Sequence, residues 1–181
     1  GLEFRRVLFR SAFQELHTPV LDFVFAHITM LGDGGIFWIS IGVLLACSKK
    51  YRRQGVLLLL CLLASFLIGN VCLKNLVQRS RPCWMYPEVP LLVREPGDFS
   101  FPSAHSMVGF AGAAALWLTD RRFGAAAYTL AAFIAFSRLY LFVHWPTDVI
   151  AGTVMGIAVA YAVFGIAYFG SGMRKRKTGG E

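Results

Sequence analysis

Side chains suited to phosphoryl chemistry stand at the ends of apolar segments in this 181-residue chain. Three basic side chains could bind the oxygens of a phosphoryl group, and each arginine can bind two of them at once. Two histidines could divide acid and base work, and an aspartate lies four residues after the second. The set comprises Lys74, Arg81, Ser103, His105, Arg138, His144 and Asp148.

Phosphoryl transfer depends mainly on positioning and on stabilising charge at three equatorial oxygens. Ser103 and the backbone N–H groups that begin at Ala104 could add donors, because a helix N-terminus binds anions. The sequence offers no cluster of carboxylates of the kind that holds Mg²⁺. We therefore expect a reaction without a metal or other cofactor.

Each of these residues also has an ordinary structural interpretation when it is taken alone. Lys74 and Arg81 could reach from a helix end to the membrane surface, and either histidine could be a satisfied interfacial side chain. Asp148 could stabilise a helix start, or it could pair with Arg138. Only their combination favours a reaction site.

The composition indicates the elements that must position these groups. Hydrophobic residues make up 56% of the chain and charged residues 15%, a balance typical of membrane proteins rather than soluble or disordered ones. We predict an all-α integral membrane bundle of about five transmembrane helices plus an N-terminal interfacial helix. The apolar blocks are Gly32–Cys47, Gly55–Leu73, His105–Leu118, Gly124–Leu141 and Val149–Gly170. Gly152 and Gly156 in the last block predict close helix packing within the bundle.

Basic residues predict the orientation of these helices. They cluster at Lys49–Arg53, at Arg121–Arg122 and at Arg174–Lys177. The positive-inside rule places all three clusters in the cytoplasm and the candidate site on the opposite face. Much of the net charge of +8 is thus explained by topology, and no nucleic-acid partner is implied.

The spacing of the site residues resembles the three-part signature of the type 2 phosphatidic acid phosphatase family, which includes bacterial undecaprenyl-diphosphate phosphatases. Ala104 departs from the pattern, because the family has glycine at that position. The resemblance extends from about His17 to the fifth apolar block. Its motifs are Lys74 with Arg81-Pro82, then Pro102-Ser103-Ala104-His105, then Ser137-Arg138 with His144 and Asp148.

The resemblance implies a role for each matching residue. His144 would be the nucleophile, oriented by Asp148, and His105 would be the general acid. The two histidines then need opposite protonation states, which predicts a bell-shaped pH dependence. The phosphate would be bound by Lys74, Arg81, Arg138, Ser103 and Ala104.

The chain divides by this interpretation into four parts. Residues 1–11 read as a non-native leader, because Leu2–Ser11 resembles a translated sequencing adapter. Residues 12–31 would form the interfacial amphipathic helix, 32–170 the transmembrane phosphatase domain and 171–181 a basic cytoplasmic tail.

The expected function is hydrolysis of a lipid phosphate or diphosphate in the plasma (inner) membrane, with the active site on the extracytoplasmic face. Undecaprenyl diphosphate is the favoured substrate, ahead of phosphatidate and phosphatidylglycerol phosphate, and membrane lipids are the other partners. Acidic residues of the long loop, Glu88, Glu95 and Asp98, are expected to face solvent, because they would repel such a substrate.

Two alternatives stay open. One is a lipid-phosphate binding or transport protein without catalysis, which would not require His144 and Asp148 at this spacing. The other is a vanadate-dependent haloperoxidase with the same anion site, which the apolar blocks disfavour. The sequence leaves the oligomeric state open.

Overall fold

The structure, a computed structural model, describes residues 15–178, with side chains as far as residue 169. The leader at residues 1–11 and the basic side chains of the tail lie outside this part of the chain. Every regular element within it is helical, which confirms the predicted all-α fold. The α-helices are α1 (Pro19–Met30), α2 (Ile36–Cys47), α3 (Arg52–Phe66), α4 (Lys74–Val77), α5 (Pro82–Met85), α6 (Ala104–Thr119), α7 (Arg121–Tyr140) and α8 (Pro146–Thr178).

The first two helices form a bent pair. Thr18 caps α1 by accepting a hydrogen bond from the backbone N–H of Leu21, and Pro19 suits the first helical position. A short 3₁₀ turn, Asp33–Gly35, joins α1 to α2, and the chain bends there by 44°. Gly34 and Gly35 have φ of 59° and 67°, a region that glycine enters without steric cost.

Within residues 15–178, three segments are long and apolar enough to cross a membrane, and the bent pair makes a fourth if it is one span. Length and composition alone therefore give fewer membrane-spanning helices than the predicted number of about five. The expected first block does not form a helix of its own from Gly32, because its helix begins at Ile36 after the bend. The expected third block forms α6, which has only 16 residues. The three long segments are Arg52–Met85, Arg121–Tyr140 and Pro146–Phe169.

Helix α6 lies at the centre of the bundle, packed against α3, α7 and α8. Its small side chains, Ala111 and Ala113–Ala115, are fully buried, so neighbouring backbones come close. A Cβ on Gly156 of α8 would lie 2.2 Å from the carbonyl oxygen of Met107, and one on Gly152 would lie 2.6 Å from that of Ser103. This confirms the predicted packing role of the two glycines.

The helices alternate in direction, so the basic residues of two loops come to the same end of the bundle. Lys49 and Lys50 precede α3, and Arg121 and Arg122 begin α7. Arg53 donates a hydrogen bond to the carbonyl oxygen of Ala167 near the end of α8, which places that part of α8 at the same end. The candidate site residues lie at the opposite end.

Candidate active site

A cavity of about 570 Å³ opens at the end of the bundle where α6 begins. It brings together residues that lie far apart in the chain, from Gly32 to His144. One part of its wall is polar, and another part is apolar. Six of the eight sequence-predicted site residues line it, namely Lys74, Arg81, Ala104, His105, Arg138 and His144.

Breaks in regular α-helix position the first two cations. A π-helical segment, Leu67–Leu73, joins α3 to α4 and sets the register of Lys74, which begins α4. Such segments are frequent at functional sites. The chain leaves α4 through Gln78, which has φ of 48°, and Arg81 then precedes α5 as its N-terminal cap.

His144 lies in the short connection between α7 and α8, with its ring almost fully buried. The guanidinium Nη1 of Arg81 lies 3.0 Å from its Nε2. Because a guanidinium only donates hydrogen bonds, Nε2 must accept, so the ring proton of neutral His144 belongs on Nδ1. Nε2 then carries the lone pair and is the ring nitrogen suited to nucleophilic attack.

Burial lowers the pKa of His144, and the positive charges of Arg81 and Arg138 lower it further. The negative charge of Asp148 acts in the opposite direction, and the pKa falls to about 3. The ring is therefore neutral near pH 7, which is the protonation state that a nucleophile needs.

Asp148 is fully buried behind His144, and several donors hold its carboxylate. The distance from its Oδ2 to Nδ1 of His144 is 3.6 Å, longer than a hydrogen bond. The hydroxyl of Ser100 lies between them, 2.5 Å from Asp148 and 3.4 Å from His144 Nδ1. Arg79 and the backbone N–H of Trp145 also donate to the carboxylate, at 2.7 and 2.9 Å. Asp148 thus acts on His144 partly through Ser100.

Ser103 caps α6, since its buried hydroxyl accepts from the backbone N–H of Ser106. Its own backbone N–H donates to the carbonyl oxygen of Asp148 at 3.1 Å, which ties the start of α6 to the start of α8. Ala104 is the first residue of the helix and has ordinary helical geometry. The alanine found where the family has glycine therefore introduces no backbone strain.

Arg138 is 5% exposed near the end of α7. Its Nη1 donates to the hydroxyl of Thr29 at 2.5 Å, whereas its Nε has no partner among the described residues. A buried guanidinium with an unused donor fits a site for an anion oxygen. The suggested pairing of Arg138 with Asp148 is absent from the ion pairs of the described residues, and Asp148 pairs with Arg79 instead.

Asp98 corrects the prediction that the acidic loop residues face away from the site. Its two carboxylate oxygens bind Lys74 and Arg81, with Arg81 Nη2 at 2.6 Å. Burial raises the pKa of Asp98, but the hydrogen bonds and charges of Lys74 and Arg81 outweigh burial and lower the pKa to about 2. The prediction considered only repulsion between Asp98 and the substrate phosphate. It did not consider the attraction of Asp98 to Lys74 and Arg81.

The cavity therefore carries an excess of positive charge, with three buried cations against the single carboxylate of Asp98 in its wall. Buried cations are costly unless an anion compensates them, so the arrangement favours a phosphate group. Among the described residues, no group of three or more His, Cys, Asp or Glu could hold a metal ion.

The apolar part of the cavity wall runs from the cations into the bundle. It is formed by α2, α3 and α6, together with the phenyl ring at the end of α3. The residues are Ile39, Leu59, Leu62, Leu63, Phe66 and Val108.

Four residues that contact the predicted site residues were not themselves predicted to belong to the site. Arg79 and Ser100 hold Asp148, Asp98 binds two cations, and Asp33 lies 2.9 Å from Nε2 of His105. The one local signal was the position of Ser100 and Arg79 next to recognised motifs. Contacts such as Asp33 with His105, 72 residues apart, have no local signal.

Comparison with known proteins gives a family match. Residues 54–170 match the model of the PAP2 superfamily, which covers well over half of the chain. The chain is also 32% identical over 125 residues to the undecaprenyl-diphosphatase of Sulfolobus acidocaldarius. That alignment covers 68% of this chain and 60% of the archaeal protein, so the chain spans less than two thirds of this relative's length.

Other relatives align over more of their length. A decaprenylphosphoryl-5-phosphoribose phosphatase of Mycobacterium tuberculosis is 31% identical over 154 residues, which is 83% of this chain and 81% of that protein. The crystal structure of a transmembrane PAP2 type phosphatidylglycerolphosphate phosphatase from Bacillus subtilis superimposes with a TM-score of 0.74 at 28% identity. It covers 92% of this chain and 86% of that one, so the similarity includes nearly the whole bundle.

Proposed function

The chain belongs to the PAP2 superfamily, and from that premise we propose that it is an integral membrane phosphatase that hydrolyses a lipid phosphate or diphosphate through a phosphohistidine. The observation that carries the proposal is one cavity in which three cations and the His144 ring adjoin an apolar wall. No metal or other cofactor takes part in the proposed reaction.

In the first step, Nε2 of His144 attacks phosphorus in line with the oxygen that leaves. A P–N bond forms while the P–O bond to the lipid breaks. Lys74, Arg81 and Arg138 stabilise the equatorial oxygens, helped by the Ser103 hydroxyl and the backbone N–H at Ala104. The apo contacts of Arg81 and Lys74 with Asp98 then give way, in whole or in part, to contacts with phosphate oxygens.

Proton transfers complete the balance. His105 donates its proton to the leaving oxygen in the first step, so the lipid departs as an alcohol, or as a monophosphate if the substrate is a diphosphate. Neutral His105 then takes a proton from water, whose oxygen attacks the phosphohistidine. Inorganic phosphate leaves, and Nε2 of His144 is free again. Between the two steps, Asp148 and Ser100 hold the charged ring of the phosphohistidine in place.

The substrate class follows from the cavity's two kinds of wall. A phosphate bound by the cations would have its ester oxygen near the apolar side chains of α2 and α3, which suit a lipid chain. Among lipid phosphates we favour undecaprenyl diphosphate, because the names of the archaeal and mycobacterial relatives both refer to polyprenyl substrates. Phosphatidate and phosphatidylglycerol phosphate are the other candidates, the latter from the name of the Bacillus structure.

We place the protein in the plasma membrane with the site on its extracytoplasmic face. The support is the basic residues at the opposite end of the bundle, which the positive-inside rule assigns to the cytoplasm. Helix α8 ends at that same end, where the predicted basic tail at residues 171–181 would lie.

The alternative function is binding or transport of a lipid phosphate without catalysis. It would need the three cations and the apolar wall, but it gives no reason for a neutral histidine whose Nε2 lone pair faces the cations. The geometry around His144 therefore favours the phosphatase.

Phosphate release by detergent-purified protein in EDTA tests the proposal, with undecaprenyl diphosphate and phosphatidate as parallel substrates. We expect release by the wild type and a loss of at least about 10³-fold in His144→Ala, because the nucleophile is gone. The proposal fails if the wild type is inactive on both lipids while vanadate still binds, which would indicate the binding protein. Equal activity of His144→Ala would exclude this nucleophile.

A further inference from the structure

The turn between α1 and α2 presents a carboxylate to the second histidine. Asp33 Oδ1 lies 2.9 Å from Nε2 of His105. The Asp33 side chain is 61% exposed, whereas that of His105 is 16% exposed. The carboxylate therefore approaches His105 from the mouth of the site, and the ring lies inside.

The backbone of this turn is adapted to the histidine ring. A Cβ on Gly32 would lie only 2.4 Å from Cδ2 of His105, so any larger residue would displace the ring. Gly34 and Gly35 then take positive φ and turn the chain into α2. These three glycines thus allow Asp33 to reach His105 in the first turn of α6.

The charges around His105 give this contact a chemical consequence. Burial of the ring disfavours its protonated form most, and the charges of Arg138 from α7 and Lys74 from α4 disfavour it further. Arg81 and Asp98, the other charged groups of the cavity wall, bind each other. Asp33 is the carboxylate in contact with His105, and it favours the imidazolium that the two cations oppose.

We propose that Asp33 is a positioning residue for the general acid: it holds the His105 ring and favours the protonated form that gives its proton to the leaving oxygen. The inference rests on the proposed function. Each histidine then has its own carboxylate, buried Asp148 for the neutral nucleophile and exposed Asp33 for the acid. With Nε2 bonded to Asp33, Nδ1 of His105 is the nitrogen that serves the leaving oxygen and later the water.

The test compares Asp33→Asn with the wild type on two kinds of substrate. A lipid phosphate has an alkoxide leaving group that needs a proton, whereas the phenolate of p-nitrophenyl phosphate leaves without one. We expect kcat on the lipid phosphate to fall about 10-fold or more, and the first-turnover release of p-nitrophenolate to fall much less. The alkaline limb of the pH profile on the lipid should move to lower pH, and Asp33→Glu should restore part of the rate.

Asp120→Asn is the matched control. Asp120 caps α7 at the opposite end of the bundle by accepting from the backbone N–H of Arg122, and asparagine caps equally well. This variant loses the same charge and should behave as wild type in both assays.

Three results would overturn the inference. Equal losses on both substrates with an unmoved pH profile would mean that Asp33 is only structural. A lower KM with kcat intact would make it a competitor of the phosphate. A fully active variant would remove it from the reaction. Failure of the proposed function is distinguishable from these results, because in that case neither the wild type nor Asp33→Asn would release phosphate from the lipid.

Discussion

At the scale of single residues, the site depends on opposed protonation states in a shared electrostatic field. Burial and the positive charges of Arg81 and Arg138 keep His144 neutral. Burial and the positive charges of Arg138 and Lys74 disfavour the charged form of His105, the proposed acid. Separate carboxylates therefore have to serve the two rings. This is the general pattern by which neighbouring titratable groups are given acid and base roles.

The pH dependence of kcat/KM follows from this balance. Because the pKa of His144 is lowered to about 3, its neutral form persists well below the ordinary histidine value. We expect the acid limb of the profile below pH 5 and an alkaline fall when His105 loses its proton. Initial rates on a lipid phosphate from pH 4 to 9.5, with chemistry rate-limiting, measure this. An acid limb centred near pH 6.5 would contradict the assignment of His144.

Substitution of Asp98 tests whether its carboxylate competes with the phosphate. Asp98→Asn removes the negative charge from Lys74 and Arg81, so vanadate should inhibit at about 2- to 5-fold lower concentration, the range expected for a partly exposed ion pair. The gain should be the same from pH 5 to 9, because Asp98 with a pKa of about 2 stays ionised throughout. Weaker inhibition would show instead that Asp98 holds the two cations in place.

The sequence predicted the residues that lie within short motifs, and six of those eight line one cavity because each motif falls at a helix end and the helix ends meet. It identified neither the carboxylate that pairs with Arg81 nor the one that pairs with His105, since both contacts depend on how loops fold over the cavity. It also misjudged Asp98, for which charge repulsion from substrate was considered without attraction to the cations.

At the scale of elements, close approach of α8 to α6 fixes the site. The backbone hydrogen bond from Ser103 to Asp148 joins the N-terminal ends of the two helices, so the separation of the helices sets the distance between the anion donors and the nucleophile. The glycines of α8 permit that separation.

Gly156→Ala should therefore lower stability and activity together. Its Cβ would lie 2.2 Å from the carbonyl oxygen of Met107, a backbone atom that can yield only if the helices move apart. We expect a loss of about 1–3 kcal/mol, measured as a lower melting temperature in detergent. Gly165→Ala is the matched control on the same helix, because nothing lies within 4 Å of its added Cβ and alanine favours helix. An unchanged melting temperature for Gly156→Ala would contradict this packing.

The apolar blocks predicted the positions of the helices well, because a helix needs a hydrophobic run whether it is buried in lipid or inside the bundle. They did not locate the breaks. The bend at Gly34–Gly35 and the π-helical segment Leu67–Leu73 depend on tertiary contacts and divide or extend blocks that look continuous. The short block His105–Leu118 corresponds closely to α6, which can be short because a helix surrounded by others needs no full span of its own.

At the scale of the whole molecule, the bundle has a basic end and a reactive end. Thiol labelling with a membrane-impermeant reagent tests which end faces the cytoplasm. In a background without the four native cysteines, we expect Arg94→Cys in the loop over the site to react in intact cells and Arg122→Cys at the start of α7 to react only after lysis. The reverse pattern would place the site in the cytoplasm.

The most direct test of the account is to trap the phosphoryl group on the protein. Purified enzyme is mixed with undecaprenyl diphosphate carrying ³²P in its terminal phosphate, quenched in base within the first turnover and digested. We predict label bound through an acid-labile, base-stable bond to the peptide that contains His144, and none in His144→Ala. Label on another residue, or undiminished turnover by His144→Ala, would contradict the mechanism.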